Sequence, residues 1–176
     1  MYILGDIGNS ETKVYLVNSN DSIIRNINFP TKQINNNILN LKFKYLIKDF
    51  KTIKKVLFCS VVPKSFNLIQ RFLSKKLNQK CFEVKDLKLK SLINIKVNFK
   101  QVGSDRLTNA ISLLNKKDNF IILDFGTATT FDVITQKSYR GGVIAPGIKI
   151  SLNTLSDKAT LIPKINLKQI KKVIGI

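Results

Sequence analysis

Hydrophobic and polar positions along the chain follow two spacings, one typical of strands and one typical of helices. Apolar or alternating runs of strand length predict strands near 2–6, 12–18, 22–29, 57–62, 81–84, 119–124, 129–135 and 138–144. Apolar positions three or four residues apart predict helices over 38–49 and 64–77 and a helix that starts at 103. Residues 148–155 are predicted to open a further helix. The polar stretch 30–37 is expected to be a loop, and Ala145-Pro146-Gly147 a turn.

The order of these elements predicts an α/β fold. Three strands, a helix, a strand, a helix, a strand and a helix are followed by three more strands and a helix. This is a βββαβαβα plan that is duplicated, with an incomplete second copy. We place the boundary near 115–118, which gives an N-terminal domain over 1–116 and a partial C-terminal domain over 117–176.

Two elements show how the core is expected to form. The continuous apolar run at 57–62, LFCSVV, is typical of a strand that is covered on both faces, and Pro63 is expected to end it. The helix over 64–77 carries one apolar stripe, made of Phe66, Ile69, Leu73 and Leu77 with Phe72 beside it. The helix from 103 repeats the spacing with Leu107, Ala110, Ile111 and Leu114.

The composition of the chain limits which side chains could carry out a reaction. The chain has 176 residues, 44% of them hydrophobic, which is enough for a core. It has no histidine, so Ser–His triads, histidine bases and histidine metal ligands are excluded. Cys59 and Cys81 lack the CxxC spacing of a zinc site, and Cys59 is expected in the core. Carboxylates, lysines, arginines, hydroxyls or a bound ion must carry any reaction.

The net charge of +19 raises the question of nucleic-acid binding. The lysines are scattered along the chain rather than gathered in a stripe, so the charge does not favour that function, although it attracts anions such as ATP. With Asp6 and Glu11 in its first dozen residues, the N-terminus is not expected to be a signal peptide, and no apolar run is long enough to span a bilayer. A cytoplasmic location without membrane contact is expected.

An Asp-x-Gly pattern follows two apolar runs. The first is Asp6-Ile7-Gly8 in MYILGDIGNSETK, and the second is Asp124-Phe125-Gly126 in FIILDFGTATT. Each glycine could permit a positive φ or a close approach to the backbone. N–H groups of such turns bind phosphate oxygens, and the carboxylates could hold a cation that bridges the phosphates. The alternative is a pair of ordinary hairpins.

The stretch GSDR at 103–106 places an acid and an arginine at a helix start. In one reading, Asp105 is a first-turn acid that complements the helix dipole, and Arg106 is its surface partner. In the other, Asp105 accepts a proton from a substrate hydroxyl while Arg106 binds a substrate carboxylate bidentately. Phosphoryl transfer would suit this set, because it needs positioning and charge neutralisation more than covalent chemistry. The DFG triplet does not indicate a protein kinase, since the other motifs of that fold are absent.

Taken together, five stretches resemble the type III pantothenate kinases. They are DIGNSETK (6–13), CSVVP (59–63), GSDR (103–106), DFGTATTFDVI (124–134) and GGVIAPGIKISLNTL (141–155), in the family's order and across nearly the whole chain. The resemblance implies the actin-like ATPase, ribonuclease-H-like fold. It also implies ATP-dependent phosphorylation of pantothenate, the first step of coenzyme A biosynthesis.

By position, the resemblance also implies roles for residues. The nucleotide phosphates would be lined by Asp6, Ile7, Gly8, Asn9, Ser10, Glu11, Thr12 and Lys13, with Thr127 also touching ATP. Pantothenate would meet Gly103, Ser104, Asp105 and Arg106, with Asp105 as the proton acceptor. Asp124 would hold a monovalent cation, K⁺ or NH₄⁺, and a divalent ion such as Mg²⁺ would accompany ATP. Family members are homodimers.

The chain departs from the family in several places. Lys96 stands where a substrate-contacting tyrosine is common, Phe99 where a proline is common, and Ser10 where a threonine is usual. The family continues past the VIGI that ends at Ile176, so the chain is expected to be C-terminally truncated, with apolar strand faces exposed. Two alternatives stay open: an inactive relative that binds or regulates, and a kinase for another small molecule on the same fold.

Overall fold

The structure, a computed structural model, describes residues 1–47, 50–77, 79–114 and 118–164. Its strands are β1 (Tyr2–Ile7), β2 (Glu11–Val17), β3 (Ile23–Pro30), β4 (Lys55–Ser60), β5 (Cys81–Glu83), β6 (Asn94–Ile95), β7 (Phe120–Phe125), β8 (Ala128–Thr135) and β9 (Ser138–Pro146). Its helices are α1 (Asn36–Leu46), α2 (Pro63–Leu77), α3 (Ser104–Ile111) and α4 (Ile148–Lys158). Short 3₁₀ turns lie at Thr31–Gln33, Phe50–Thr52, Val84–Asp86, Leu89–Ser91 and Phe99–Gln101.

The first sheet has the strand order β3-β2-β1-β4-β5. Strand β1 pairs antiparallel with β2, and β2 antiparallel with β3, while β1 and β4 are parallel, as are β4 and β5. Helix α2 connects β4 to β5, as a crossover between parallel strands requires. Three antiparallel strands followed by two parallel ones in this order form the ribonuclease-H-like sheet, which confirms the predicted fold class.

Strand β4 is buried on both faces, as its continuous apolar run predicts. Val56 and Phe58 belong to one apolar cluster, which the buried side chains of α1 and α2 complete. Cys59 belongs to a second cluster, together with Leu107 of α3 and Tyr139 of β9. The predicted stripe of α2 is also confirmed, because Phe66, Ile69, Phe72 and Leu73 are buried and Leu77 packs against them.

The second sheet has the strand order β6-β9-β8-β7. Strands β8 and β9 are joined by Gln136 and Lys137, whose φ values of 49° and 60° suit the tight two-residue turn of a hairpin. Strand β6 has only two residues and pairs in parallel with β9, with Asn94 opposite Ser138 and Ile95 opposite Tyr139. The sequence pattern missed β6, because two residues are too few to show a period.

The boundaries of three helices differ from the prediction. Helix α1 begins inside the expected loop, because Asn35 Oδ1 accepts a hydrogen bond from the Ile38 N–H at 3.0 Å and so caps the helix. It ends at Leu46, since Ile47 has an extended backbone, and residues 48–49 lie outside the described ranges. Helix α2 starts at Pro63, a residue suited to the first helical position. Helix α3 ends at Ile111, before Leu114.

The chain forms two compact units. The first combines Met1–Ile122 with Asp132–Gly142, and the second combines Leu123–Phe131 with the part that begins at Val143. The predicted division into domains over 1–116 and 117–176 stays a prediction, because it concerns a duplicated topology rather than compactness, and residues 115–117 lie outside the described ranges. Over the described residues, none of the helices is both long and apolar enough to cross a membrane.

Candidate active site

The turn between β1 and β2 carries the first Asp-x-Gly motif. Asp6 is exposed, Ile7 is fully buried, and the Gly8 N–H donates to the Glu11 carbonyl at 3.0 Å. Of the two alternatives for Gly8, a positive φ is not found, since Gly141 is the one glycine with a positive φ in the described ranges. A Cβ at Gly8 would instead lie 3.2 Å from the Glu11 carbonyl oxygen, so close backbone packing favours glycine there.

Threonine side chains fix this turn from the next connection of the chain. The Thr31 hydroxyl donates to the Gly8 carbonyl at 2.8 Å and lies 3.0 Å from the buried Thr12 hydroxyl, while the Thr31 N–H donates to the Ser10 carbonyl at 3.0 Å. The backbone of the turn is therefore held in place before any ligand binds. The hydroxyl of Thr12, a predicted ATP contact, serves this network.

The charged side chains of the same motif lie at the surface. Lys13 Nζ is 3.8 Å from Glu11 Oε2, and both side chains are almost half exposed. Glu11 also accepts a hydrogen bond from Asn28 Nδ2 at 2.8 Å. An exposed pair of this kind is weak, so Lys13 can exchange its partner for a phosphate at little cost.

Ser104 connects the start of α3 to the end of β4. Its hydroxyl accepts from the Ser60 N–H and donates to the Ser60 carbonyl, both at 2.8 Å, and it lies 3.5 Å from the Cys59 sulfur. The residue is 1% exposed. Ser104 is a predicted substrate contact, but in this structure its hydroxyl serves the scaffold and fixes where α3 begins.

Asp6 and Asp105 lie at one edge of the first sheet. Asp6 is beside Cys59 in the register of the parallel strands β1 and β4. Burial raises the pKa of the Cys59 thiol to about 11 against hydrogen bonds that lower it, and the charges of Asp6 and Asp105 both add to the increase. Both carboxylates therefore act on the same thiol. In α/β sheets, ligands bind at the carboxyl ends of parallel strands such as these.

Asp105 lies in the first turn of α3 and is partly buried. Its Oδ1 accepts a hydrogen bond from the Arg106 N–H at 2.8 Å, and the positive end of the helix dipole favours its ionised form. A Cβ on Gly103 would lie 2.3 Å from that same Oδ1. Glycine at 103 therefore leaves the room that the Asp105 carboxylate occupies.

Arg106 is buried, so its reading as a surface partner of Asp105 is wrong. The residue is 9% exposed, and its Nε donates to Asp132 Oδ1 at 2.8 Å. Nη2 lies 2.6 Å from the same oxygen, and the Tyr139 hydroxyl donates to it at 2.5 Å. Burial lowers the pKa of Arg106, but the hydrogen bond and charge of Asp132 outweigh it and hold the pKa above its ordinary value.

Sequence reasoning missed Asp132 and Tyr139, both of which are fully buried. Burial, followed by the hydrogen bond and charge of Asp132, raises the pKa of Tyr139. A signal was present in the alternation of β8, where Asp132 shares the buried face with Ile134. A carboxylate at an apolar position of a strand indicates a buried cationic partner.

The second Asp-x-Gly motif lies in the second compact unit. Asp124 and Thr127 are exposed, and the Gly126 N–H donates to the Ala128 carbonyl at 3.0 Å. Gly126, like Gly8, does not have a positive φ, which is one of the two alternatives for these glycines. The Gly147 N–H donates to the Thr127 carbonyl at 3.0 Å, and a Cβ on Gly147 would lie 2.3 Å from the Gly126 carbonyl oxygen. The start of α4 is thus packed on this turn.

Oxygen atoms are the available ligands for a cation. Over the part of the chain that the structure describes, no group of three His, Cys, Asp or Glu side chains could form a metal site. At the second motif, the Asp124 carboxylate and the carbonyls of Gly126 and Thr127 belong to one short turn. Such donors suit a hard cation, because hard cations prefer carboxylate and carbonyl oxygens.

The positions that depart from the family pattern lie close to these groups in the chain. Lys96 is exposed, and its backbone N–H donates to the Tyr139 carbonyl at 2.9 Å. The ring of Phe99 has Lys85 Nζ at 5.1 Å and Lys90 Nζ at 5.8 Å from its centroid, which are cation–π distances. Residues 96–99 therefore contribute backbone pairing and a cationic surface.

A ribonuclease-H-like sheet with a fixed glycine turn and two acids at its carboxyl edge defines a class of protein, the phosphotransferases with the actin-like ATPase fold. Solved structures agree on the fold. A Campylobacter jejuni protein described as a Baf family transcriptional activator superposes with a TM-score of 0.50 at 20% identity, over 88% of this chain and 60% of that one. A Sinorhizobium meliloti protein described as a 2-dehydro-3-deoxygalactonokinase gives 0.52 at 8% identity, over 90% and 58%.

Within this class, the chain belongs to the type III pantothenate kinase family, whose model matches residues 2–176. A type III pantothenate kinase of Pelagibacter ubique is 60% identical over 176 residues, which cover 100% of this chain and 71% of that protein. One of Desulforapulum autotrophicum is 36% identical, over 99% of this chain and 70% of that protein. The resemblance seen in the motifs is confirmed, and the chain is shorter than these relatives. The family is one of ATP-using kinases.

Proposed function

We propose that this chain phosphorylates pantothenate to 4′-phosphopantothenate with ATP, the first step of coenzyme A biosynthesis. The observation that carries the proposal is the placement of both acids at the end of β4, in a chain of this family: Asp6 is paired with Cys59, and Asp105 follows Ser104, whose hydroxyl bonds to Ser60. One acid stands at a phosphate-binding type of turn and the other at a helix start. Phosphoryl transfer needs these two positions for the nucleotide and for the acceptor alcohol.

The nucleotide phosphates bind at residues 6–13. The backbone of this turn is fixed by Thr31, so its N–H groups are oriented in advance, and Lys13 supplies a mobile positive charge. A divalent ion such as Mg²⁺ fits beside Asp6, because Mg²⁺ is usually held by one or two carboxylates together with substrate phosphates. Bound there, the ion would neutralise phosphate charge. Thr127 is the further ATP contact in this proposal.

Asp105 accepts the proton of the pantothenate hydroxyl as the phosphoryl group transfers to it. The Arg106 N–H donates to one oxygen of this carboxylate, and the absence of a side chain at Gly103 leaves it space. Arg106 pairs with the pantothenate carboxylate, at the end of the molecule away from the reacting hydroxyl. Ser104 contributes by fixing the position of Asp105 rather than through its hydroxyl.

A monovalent cation, K⁺ or NH₄⁺, fits the second Asp-x-Gly turn. Asp124 supplies the charge, and the carbonyls of the turn supply neutral oxygen ligands. Such an ion would reduce the repulsion between the Asp124 carboxylate and the phosphates of ATP. Enzyme assays in which K⁺ is replaced by Na⁺ test this part of the proposal, and equal rates in both salts would contradict it.

A homodimer in the cytoplasm, without nucleic acid, completes the proposal. Large apolar side chains of the second sheet, including Phe125, Val143 and Ile144, are more than half exposed, and such a surface favours association. Sedimentation equilibrium of the purified chain tests the dimer. A gel-shift series at increasing salt tests the absence of DNA binding, because binding driven by the net charge weakens steeply with salt.

The decisive test is the substitution Asp105→Asn. We expect turnover of pantothenate to fall by about 10²–10⁴, the range for loss of a general base. ATP binding, followed with a fluorescent analogue, should persist because the turn at 6–13 is unchanged. Asp86→Asn is the control, since Asp86 is an exposed acid of the same unit at a 3₁₀ turn. Full activity of Asp105→Asn would refute the role of Asp105.

A substrate panel separates pantothenate from other acceptors. The wild-type chain is incubated with ATP, Mg²⁺ and K⁺ and with pantothenate, sugars or short carboxylic-acid alcohols, and ADP release is followed. Pantothenate should give the highest kcat/KM. A higher value for another alcohol would leave the fold and the family intact but would replace the proposed substrate.

A further inference from the structure

The Arg106 guanidinium is bound by a single oxygen atom. Its Nε–H donates to Asp132 Oδ1, and Nη2 lies 2.6 Å from the same oxygen without the alignment of a hydrogen bond. Among the buried side-chain atoms of the described residues, Arg106 Nη2, Asp132 Oδ2 and Thr130 Oγ1 have no hydrogen-bond partner, and the first two belong to this pair. Native proteins rarely leave such atoms unsatisfied, so each one requires an explanation.

Three elements of the first compact unit determine where that single oxygen lies. Asp132 is on β8, and the Tyr139 hydroxyl of β9 donates to the same Oδ1 at 2.5 Å. The backbone of Tyr139 is paired in turn with the Lys96 N–H and with Ile95 of β6. Asp132 and Tyr139 are fully buried and cannot reorient freely. The Nε side of Arg106 is therefore fixed by the second sheet.

A guanidinium has five N–H donors in one plane and offers more than one edge. When Asp132 occupies the Nε side, the terminal nitrogens form the remaining edge. The unsatisfied Nη2 belongs to that edge, and a carboxylate is the ligand whose two oxygens match it. The negative charge of Asp132 also compensates the buried positive charge of Arg106 while no ligand is bound.

We propose that Asp132 and Tyr139 are positioning residues that turn the terminal edge of Arg106 toward the substrate carboxylate and so set the selectivity for an acidic acceptor. The inference rests on the proposed function and names the residues that control its acceptor specificity. Neither residue touches the substrate. An acceptor that lacks the carboxylate leaves Nη2 buried and unsatisfied, and this penalty is the source of the discrimination.

The test compares two acceptors that differ in one group. Pantothenate and its alcohol analogue pantothenol share the reacting hydroxyl, but pantothenol has no carboxylate. For Asp132→Asn, we expect the KM for pantothenate to rise about tenfold or more with kcat nearly unchanged, since the lost contact is remote from the reacting atoms. The kcat/KM for pantothenol should change less than about threefold. Tyr139→Phe should show the same pattern with a smaller increase in KM.

Ile134→Val is the control variant for packing. Ile134 lies two residues from Asp132 on the same buried face of β8 and has no polar group. It should lower the melting temperature without changing the preference between the two acceptors. If Asp132→Asn lowers kcat/KM equally for pantothenate and pantothenol, the role of Asp132 is merely structural and the inference is overturned. An Asp132→Asn variant with wild-type kcat/KM for both acceptors would overturn it as well.

A binding measurement separates this inference from the proposed function. Titration calorimetry of the wild-type chain with pantothenate and with pantothenol, in the presence of a non-hydrolysable ATP analogue, needs no turnover. Tighter binding of pantothenate that Asp132→Asn abolishes supports the positioning role even if the chain does not phosphorylate pantothenate, in which case only the proposed function fails. Equal affinity for the two ligands, or no affinity for either, overturns the positioning role.

Discussion

Strands β1 and β7 are both apolar and both run into an Asp-x-Gly turn, yet they differ in burial. In β1, Ile3 and Ile7 are fully buried in a cluster that α1 and α2 complete. In β7, Leu123 and Phe125 are 49% and 62% exposed. The apolar pattern predicts that a strand forms, but it does not specify which element covers the strand.

The helices that follow these motifs differ in the same way. Helix α3 buries Ser104, Arg106, Leu107 and Ala110, whereas α4 has no buried residue. Each starts after a glycine, Gly103 or Gly147, that allows close packing on a neighbouring residue. The comparison shows that local backbone packing at a helix start is independent of whether the rest of the helix reaches a core.

The largest expected difference between the two regions concerns two phenylalanines. Phe58 in β4 is fully buried, and Phe125 in β7 is 62% exposed. Phe58→Ala should lower the free energy of unfolding by about 3–5 kcal/mol, because it removes buried surface and leaves a cavity. Phe125→Ala should change it by less than about 0.5 kcal/mol. Urea unfolding measures both, and similar losses would show that something covers β7.

A chemical probe gives the next largest effect. Burial raises the pKa of Cys59 to about 11 and that of Cys81 to about 12, so both thiols are protonated at pH 8.5. A cysteine introduced in exposed α4 by Thr154→Cys keeps an ordinary pKa, and it should react with iodoacetamide about a hundredfold faster. Mass spectrometry after timed quenching measures the rates. Equal labelling of all three thiols would mean that the first unit opens readily.

The smallest effect concerns Gly5 on β1 and Gly126 in the turn that follows β7. A Cβ on Gly5 would lie 2.0 Å from a carbon of the Phe58 ring, whereas a Cβ on Gly126 would meet only the Ala128 carbonyl oxygen at 3.6 Å. Gly5→Ala should lower the free energy of unfolding by about 1–3 kcal/mol through overpacking. Gly126→Ala should leave it within about 0.5 kcal/mol. Chemical denaturation compares them, and a stable Gly5→Ala variant would show that β1 and β4 can separate.

Much of the fold could be predicted from the sequence, because long apolar segments have a clear period. The apolar stripe of α2 and the burial of β4 on both faces are examples. Boundaries were less accurate where a single side chain decides them, as Asn35 does for α1. The two residues of β6 are paired through tertiary contact with β9 rather than through any local preference.

The candidate site was predicted in part. The motifs identified Asp6 and Asp105, and the structure brings both to one edge. The motifs also identified Arg106, but not Asp132 and Tyr139. The hydrogen bond from Arg106 to Asp132 joins residues 26 positions apart on different elements, so no local pattern shows it. The roles assigned to the individual residues at 6–13, to Thr127, Asp124 and the GSDR stretch stay predictions until they are tested with ligands.

The pair of hydrogen bonds between Ser104 and Ser60 has a mechanical consequence. Rotation of α3 alone cannot displace Asp105, because the first residue of the helix is bonded to both the N–H and the carbonyl of the last residue of β4. Any displacement of this acid must carry the end of β4 along or break both bonds. The acid therefore behaves as a fixed reference point, anchored to the first sheet rather than to the helix that carries it.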